Sequence, residues 1–139
     1  MKVRCDDEAT IYVDGAEVGR TVLWDEVWNG QITDDRHLLA VACYDIGGEG
    51  FLMASVGGPT VATDDSRTVF PVVSDMAWRC SSTFVSDWYG VAFDDSSWNS
   101  AYEIGPTGFE TNAKHIWANE HLNTIGFSYC RIQIGESGR

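Results

Sequence analysis

Short extended segments, each ended by a turn dipeptide or a glycine cluster, recur along the whole 139-residue chain. β-Branched and aromatic residues fill them, and their composition argues against helices almost everywhere. The predicted strands are 9–13, 21–24, 27–28, 37–44, 51–56, 68–73, 77–80, 115–117 and 127–134. One helical turn is predicted at 95–99, where Asp94 or Asp95 would cap the free amides. The pattern therefore predicts an all-β sandwich or barrel.

Domain organisation follows from length and from the spacing of the turns. The chain is long enough to bury its own core, and no linker-like shift in composition divides it. We therefore interpret 1–139 as a single domain. The pair Asp14–Gly15 predicts a tight hairpin turn, and the apolar run 37–44 predicts a strand that is covered on both sides.

The charge balance excludes two classes of partner. Acidic residues number 21 and basic residues 9, which gives a formal net charge of -12 at pH 7. Such a chain repels nucleic-acid phosphates and anionic lipid surfaces. The longest apolar segments, 38–43 and 51–56, fall far short of the roughly 20 residues of a membrane-spanning helix. We expect no nucleic-acid partner and no membrane insertion.

Four cysteines stand far apart, and none forms a Cys-x-x-Cys pair. They are Cys5, Cys43, Cys80 and Cys130. This spacing does not fit a zinc knuckle or a redox loop, whereas an even number of separated cysteines predicts two disulfides in a secreted, extracellular protein. The alternative is four buried free thiols. Strand alternation points three of them toward apolar faces, but four cysteines allow three pairings, and the residues alone leave all three open. The start of the chain lacks the pattern of a cleavable signal, so a secreted protein would have lost its leader or be an excised module.

No constellation of residues predicts catalysis. None of the histidines lies in a recognisable metal or nucleophile motif. The two carboxylates of a glycosidase must face each other, whereas adjacent carboxylates in a strand point apart. The residues considered are His37, His115 and His121 and the aspartate doublets at 6–7, 34–35, 64–65 and 94–95. We expect a protein that is not an enzyme, and a hydrolase is the third hypothesis.

Four carboxylates are predicted to gather at one end of the fold. Asp6 and Asp7 lie at the opposite end of the first predicted strand from the Asp14–Gly15 turn, and Asp45 and Glu49 leave neighbouring strands. Together they would form an acidic pocket suited to sugar hydroxyls or to a cation. Calcium prefers oxygen ligands of this kind, which makes it the candidate cofactor. The alternative is that these carboxylates only solvate and cap turns.

The chain is rich in aromatic side chains, with six tryptophans and five tyrosines. Flat aromatic faces stack on sugar rings, although tryptophan in a sandwich is usually part of the core. Trp88 and Tyr89 are the candidate sugar-binding aromatics, and Trp24 is left open between the two roles. We expect structural roles for the remaining candidates, Trp78, Trp98 and Trp117.

Several segments stand in an order that resembles a known family. They are DDEATIYVDGAEVG at 6–19, HLLAV at 37–41, GGEGFLMA at 47–54, FDDSSWNSA at 93–101, and HIWA at 115–118 followed by YCR at 129–131. Their order is similar to that of the galactose-binding-domain-like β-sandwiches. The resemblance implies a jelly-roll domain that is lectin-like or accessory to a glycoside hydrolase, with ligands bound by end loops. It also implies the disulfides Cys80–Cys130 and, by remainder, Cys5–Cys43.

A second resemblance concerns the opening segment alone. The doublet Asp6–Asp7 before a strand that ends in Asp14–Gly15 is similar to the start of PA14-type adhesin domains. In those domains an aspartate doublet holds calcium, and calcium holds the sugar. The resemblance implies that Asp6 and Asp7 are metal ligands, although residues 93–98 depart from the PA14 pattern.

The sequence thus predicts a secreted, disulfide-linked, jelly-roll β-sandwich that binds glycans without catalysis. Its site residues would be Asp6, Asp7, Asp45, Glu49, Trp88 and Tyr89, with calcium as a candidate aid and a homo-oligomer as a way to gain avidity. The second hypothesis is a structural or protein-interaction accessory module without a sugar site.

Overall fold

The computed structural model describes residues 1–31, 37–47, 50–56, 72–106, 114–119 and 125–134. Within them the chain forms β-strands, and these residues include no helix long and apolar enough to cross a membrane. The strands are β1 Lys2–Asp6, β2 Glu8–Val13, β3 Ala16–Thr21, β4 Trp28–Asn29, β5 His37–Asp45, β6 Phe51–Val56, β7 Val72–Val73, β8 Arg79–Ser81, β9 Asn99–Ser100, β10 Tyr102–Pro106, β11 Lys114–Trp117 and β12 Gly126–Ile134. The prediction of an all-β fold is confirmed.

The strands form two antiparallel sheets. The first sheet has the order β10-β11-β6-β1-β4, with β7 paired to β6, and the second has the order β3-β2-β5-β12-β8-β9. The β2–β3 hairpin turns at Asp14 and Gly15, whose φ angles of 53° and 89° are those of the predicted tight turn. The chain passes from the first sheet to the second at Asp7, between β1 and β2.

One apolar core lies between the sheets, as in a β-sandwich. Alternate residues of each strand point inward, so that Val3 and Leu52 of the first sheet meet Ile11 and Val41 of the second. The alternation predicted for the cysteine-bearing strands is confirmed. The same core holds Leu39, Cys43, Trp78, Cys80, Trp117, Cys130 and Ile134.

The outer face of the second sheet is covered by its own loop. Residues 82–98 fold over the small side chains Ala40 and Ala42 of β5 and bury Trp88 and Trp98 there. Because β5 is therefore buried on both faces, the prediction made from its continuous apolar run is confirmed. The structural roles expected for Trp78, Trp98 and Trp117 agree with their burial.

The extended run predicted at 21–24 is wrong beyond Thr21, which ends β3. Residues 22–24 form a loop, because the Glu26 carboxylate accepts a hydrogen bond from the Val22 amide at 2.9 Å and the Glu26 amide donates to the Leu23 carbonyl at 3.0 Å. The turn predicted at 95–99 is found as a single turn without a helix: the Trp98 amide donates to the Asp95 carbonyl at 2.9 Å, and Asp94 caps it by accepting the Ser96 amide at 2.9 Å. Of the predicted strand 68–73, only Val72–Val73 lies within the described residues.

Both disulfides have the pairing that the resemblance implies. Cys5–Cys43 joins β1 of the first sheet to β5 of the second, across a sequence separation of 38 residues. Cys80–Cys130 joins directly opposed residues of β8 and β12 within the second sheet. The first bond therefore connects the two layers, whereas the second connects neighbours within one layer.

Candidate functional site

Three carboxyl groups meet at one end of the sandwich, which we call the acidic end: Asp6, Asp7 and Asp45. Asp6 ends β1, Asp7 links β1 to β2, and Asp45 ends β5. The Asp7 amide donates to the Tyr44 carbonyl at 2.8 Å, which ties the link to the end of β5. The expected convergence is therefore found for these three residues, while Glu49 lies outside the described residues.

Backbone amides hold two of the three carboxylates in place. Asp7 Oδ2 accepts a hydrogen bond from the Ile46 amide at 2.8 Å, and Asp45 Oδ1 accepts one from the Gly47 amide at 3.0 Å. Asp45 is 0% exposed, and its Oδ2 has no hydrogen-bond donor among the described residues. A Cβ on Gly50 would lie 2.8 Å from that oxygen, so only glycine fits there. Asp45 therefore has a buried oxygen that receives no N–H donor from the described residues, and the hydrogen bond between its carboxyl and that of Asp7 requires a proton on one of the two.

The electrostatics of the acidic end favour protons or positive charge. Burial, a hydrogen bond to the Asp7 carboxyl and repulsion from Asp7 and Asp45 raise the pKa of Asp6 to about 7, against the weaker opposing effect of Arg4. Burial and the Asp7 carboxyl also raise the pKa of Asp45, although the Gly47 amide opposes the shift. Three carboxyls this close cannot all ionise without cost, so near neutral pH the cluster holds a proton or gains from a ligand that donates hydrogen bonds.

An exposed aromatic side chain packs on Arg4, the basic neighbour of Asp6. The Arg4 guanidinium lies 5.6 Å from the ring centroid of Trp24 and 5.4 Å from that of Phe51, and its Nε donates to the Trp24 carbonyl at 3.2 Å. Phe51 pairs in register with Asp6 and stacks on His115. Trp24 is 54% exposed, so its indole is both held in position and open to solvent.

The structure does not bring the other two predicted aromatics to the acidic end. Trp88 is 2% exposed, packed among Tyr12, Trp98 and Tyr129, and presents no face on which a sugar could stack. Tyr89 stacks on Tyr12, with ring centroids 4.2 Å apart. Tyr12 is four residues along β2 from Glu8, or about 13 Å from the acidic end. The reason is the loop 82–98, which turns both side chains onto the outer face of the second sheet.

The calcium hypothesis stays a prediction. Asp6 and Asp7 supply carboxylate oxygens, and calcium takes six to eight oxygen ligands. Among the residues that the structure describes, no group of three or more His, Cys, Asp or Glu side chains has the arrangement expected to hold a metal ion.

Arg4 is the residue of the acidic end that the sequence analysis missed. Alternation along β1 places Arg4 on the same side as Asp6, and that pattern is the signal that could have found it. The signal was not used because 2–6 was not predicted as a strand. Trp24, whose role the sequence leaves open, is the exposed aromatic that packs on Arg4.

Comparison with known proteins adds no relative. No protein-family model, no curated protein and no solved structure matches this chain. The galactose-binding-like and PA14-type resemblances therefore stay predictions, and the chemistry of the acidic end has to be argued from its own residues.

Proposed function

We propose that this chain is a non-catalytic carbohydrate-binding module that holds a sugar at the acidic end. The observation that carries the proposal is the meeting of three carboxyls next to Arg4, whose guanidinium packs on the exposed indole of Trp24. The two disulfides fit an extracellular location, which we include in the proposal.

The chemistry of these groups suits a sugar. Carboxylates accept hydrogen bonds from hydroxyl groups, and Asp6 and Asp7 are only partly buried. An aromatic face covers the apolar side of a pyranose ring, and Trp24 has such a face in solvent. Asp45 would contribute indirectly, because its buried carboxyl next to Asp7 makes a ligand that donates hydrogen bonds to Asp7 more favourable.

A glycan array, run once with calcium and once with a chelator, tests the proposal directly. A sugar found on the array is then titrated against the wild type and against Trp24→Ala, which we expect to weaken binding by about 1 kcal/mol or more. Phe84→Ala is the matched control, since Phe84 is also an exposed aromatic but packs against Tyr129 on the outer face of the second sheet.

The comparison with and without calcium distinguishes a sugar held through a metal ion from a sugar held directly by the protein. If calcium bridges protein and sugar, the chelator abolishes binding, and Asp6→Asn and Asp7→Asn do the same. Binding that is unchanged in chelator removes the metal bridge and leaves direct recognition by carboxylates and indole. An array that stays blank in both conditions refutes the sugar-binding proposal.

The second candidate function is a protein-interaction module without a sugar site. Apolar side chains exposed where β5 ends and β12 begins favour it, because such patches often mark protein contacts. They are Ile46, Ile125 and Phe127, and the Phe127 ring lies between those of Tyr44 and Tyr129. A blank glycan array together with saturable binding to a purified protein, lost in Phe127→Ser, would favour this function.

A further inference from the structure

We infer that the acidic end recognises sugars that carry a free, protonated amino group, as in an oligomer of glucosamine. This inference rests on the proposed function and names its ligand class. It starts from an imbalance of charge at three neighbouring carboxyls. The adjacent amides of Ile46 and Gly47 hold Asp7 and Asp45 at the same strand end, and Arg4 lies near Asp6.

Arg4 does not cancel that imbalance. Its guanidinium lies between the rings of Trp24 and Phe51, and its Nε is used by the Trp24 carbonyl. Among the salt bridges of the described residues, none joins Arg4 to an acidic-end carboxylate. An anionic sugar, with a carboxylate or sulfate of its own, would therefore meet repulsion.

The buried oxygen of Asp45 is a second, separate observation. Asp45 Oδ2 is fully buried and no N–H group of the described residues donates to it, and the Asp7 carboxyl beside Asp45 can hydrogen-bond to it only by sharing a proton. A neutral hydroxyl offers one hydrogen for all of these oxygens, whereas an ammonium group offers three and brings a positive charge. An ammonium held by Asp6 and Asp7 would let both ionise and would attract the charge of Asp45 behind them.

The elevated pKa of Asp6 agrees with this geometry. Repulsion from Asp7 and Asp45 contributes to the elevation, and a bound ammonium would offset it. Trp24 provides the remaining element, because its exposed indole lies beside Arg4 and can cover the apolar face of the ring that carries the amine. Ring stacking and ammonium binding would then select an amino sugar over a simple polyamine.

The test compares two oligosaccharides that differ only at nitrogen. Glucosamine hexamer and N-acetylglucosamine hexamer are titrated by calorimetry near neutral pH in the presence of a chelator. We expect the glucosamine hexamer to bind about tenfold more tightly or better, because acetylation removes the charge and two donors. Asp6→Asn and Asp7→Asn should each remove most of that preference.

Two controls distinguish binding at the acidic end from attraction by the overall negative charge of the protein. Asp87→Asn removes one charge from the exposed loop 82–98 at a left-handed φ of 63°, which asparagine tolerates, and should keep the preference. Spermine, a polyamine without rings, should bind more weakly than the glucosamine hexamer. The inference would be overturned if Asp87→Asn and Asp6→Asn lost the preference for the glucosamine hexamer equally, or if spermine bound as tightly as that hexamer.

A measurement on the wild type covers the case in which the variants do not fold. Carboxyl-carbon NMR should show the Asp6 titration moving to lower pH when glucosamine hexamer is added, and an unmoved titration at saturating hexamer would contradict the inference. Equal affinity for the two hexamers overturns the amino-sugar inference but leaves the glycan-binding proposal in place. If no glycan binds at all, both fail.

Discussion

At the scale of single residues, Asp6 carries a consequence that does not depend on any ligand. Its pKa of about 7 in the folded protein is well above the ordinary value of 3.8. Between these two pH values the folded chain retains a proton that the unfolded chain has released. The sign follows from linkage, since stability falls with rising pH wherever the folded state binds more protons.

The prediction is that Asp6 favours the folded state most at low pH and loses this contribution as pH rises from about 4 to about 7. Compared with Asp6→Asn, the wild type should therefore become relatively less stable across that window. The measurement is the free energy of urea unfolding of both proteins at several pH values, without a divalent cation.

Asp87→Asn again supplies the control, because Asp87 is exposed in the loop 82–98, whose Gly90 lies against Gly15 at the opposite end of β2 from the acidic end. The difference between wild type and Asp6→Asn should change with pH much more than the difference between wild type and Asp87→Asn. Parallel curves for the two comparisons would mean that the acidic end does not hold a proton in the folded protein.

At the scale of elements, the loop 82–98 is fixed to the second sheet by one arginine. Arg131 on β12 is buried and donates to Asp95 Oδ2 at 2.9 Å and to the carbonyls of Trp88 at 2.6 Å, Gly90 at 3.0 Å and Phe93 at 3.2 Å. The planar guanidinium reaches all four acceptors at once, which the single ammonium of lysine cannot do.

We predict that Arg131→Lys lowers the free energy of unfolding by about 3 kcal/mol, because it keeps the charge but leaves buried carbonyls without donors. Arg79→Lys is the control. Arg79 is exposed and donates to the Trp98 carbonyl at 2.8 Å, so its replacement should cost less than about 1 kcal/mol. Urea unfolding followed by tryptophan fluorescence measures both, and similar losses in the two variants would contradict the role assigned to Arg131.

The same loop explains why the sequence located some site residues and not others. Alternation and turn residues predicted the strands β2, β5, β6, β11 and β12, the facing of the cysteines and the end at which Asp6, Asp7 and Asp45 meet, since these depend on local geometry. Whether Trp88 is buried depends on a loop that folds over a strand distant in sequence, and no local sequence pattern predicts that contact. Trp88 is therefore core, and Trp24 is the exposed tryptophan that packs on Arg4.

The loop 22–27 shows the limit of propensity. Its residues favour extended structure, yet hydrogen bonds from Glu26 and Arg4 hold them in a loop. A side-chain hydrogen bond can thus override a preference that spans only a few residues. The strand β1 was not predicted, although Lys2 and Arg4 alternate there with apolar Val3 and Cys5, which is a strand pattern.

At the scale of the whole molecule, the two disulfides have similar effects on the unfolded chain but different positions in the fold. They close sequence separations of 38 and 50 residues, so each should stabilise the folded protein by about 4 kcal/mol through loop entropy. Only Cys5–Cys43 joins the two sheets. Cys5 directly precedes Asp6, and Cys43 lies two residues before Asp45, so this bond holds the carboxyls of the two sheets near each other.

The prediction is that replacing either pair by alanine costs a similar amount of stability, while only one replacement alters the acidic end. Cys5→Ala with Cys43→Ala should let the sheets separate slightly, weaken repulsion among the carboxyls and lower the pKa of Asp6 toward its ordinary value. Cys80→Ala with Cys130→Ala should leave the titration of Asp6 as in the wild type, because that bond lies within one sheet. Urea unfolding checks the first statement, and carboxyl-carbon NMR checks the second.

The contradicting outcome is that both double variants shift the pKa of Asp6 equally, or that neither does. In that case the bond between the sheets is not what brings the carboxyls together. The hydrogen bonds that join Asp7 to Tyr44 and Ile46 would then have to hold the acidic end by themselves.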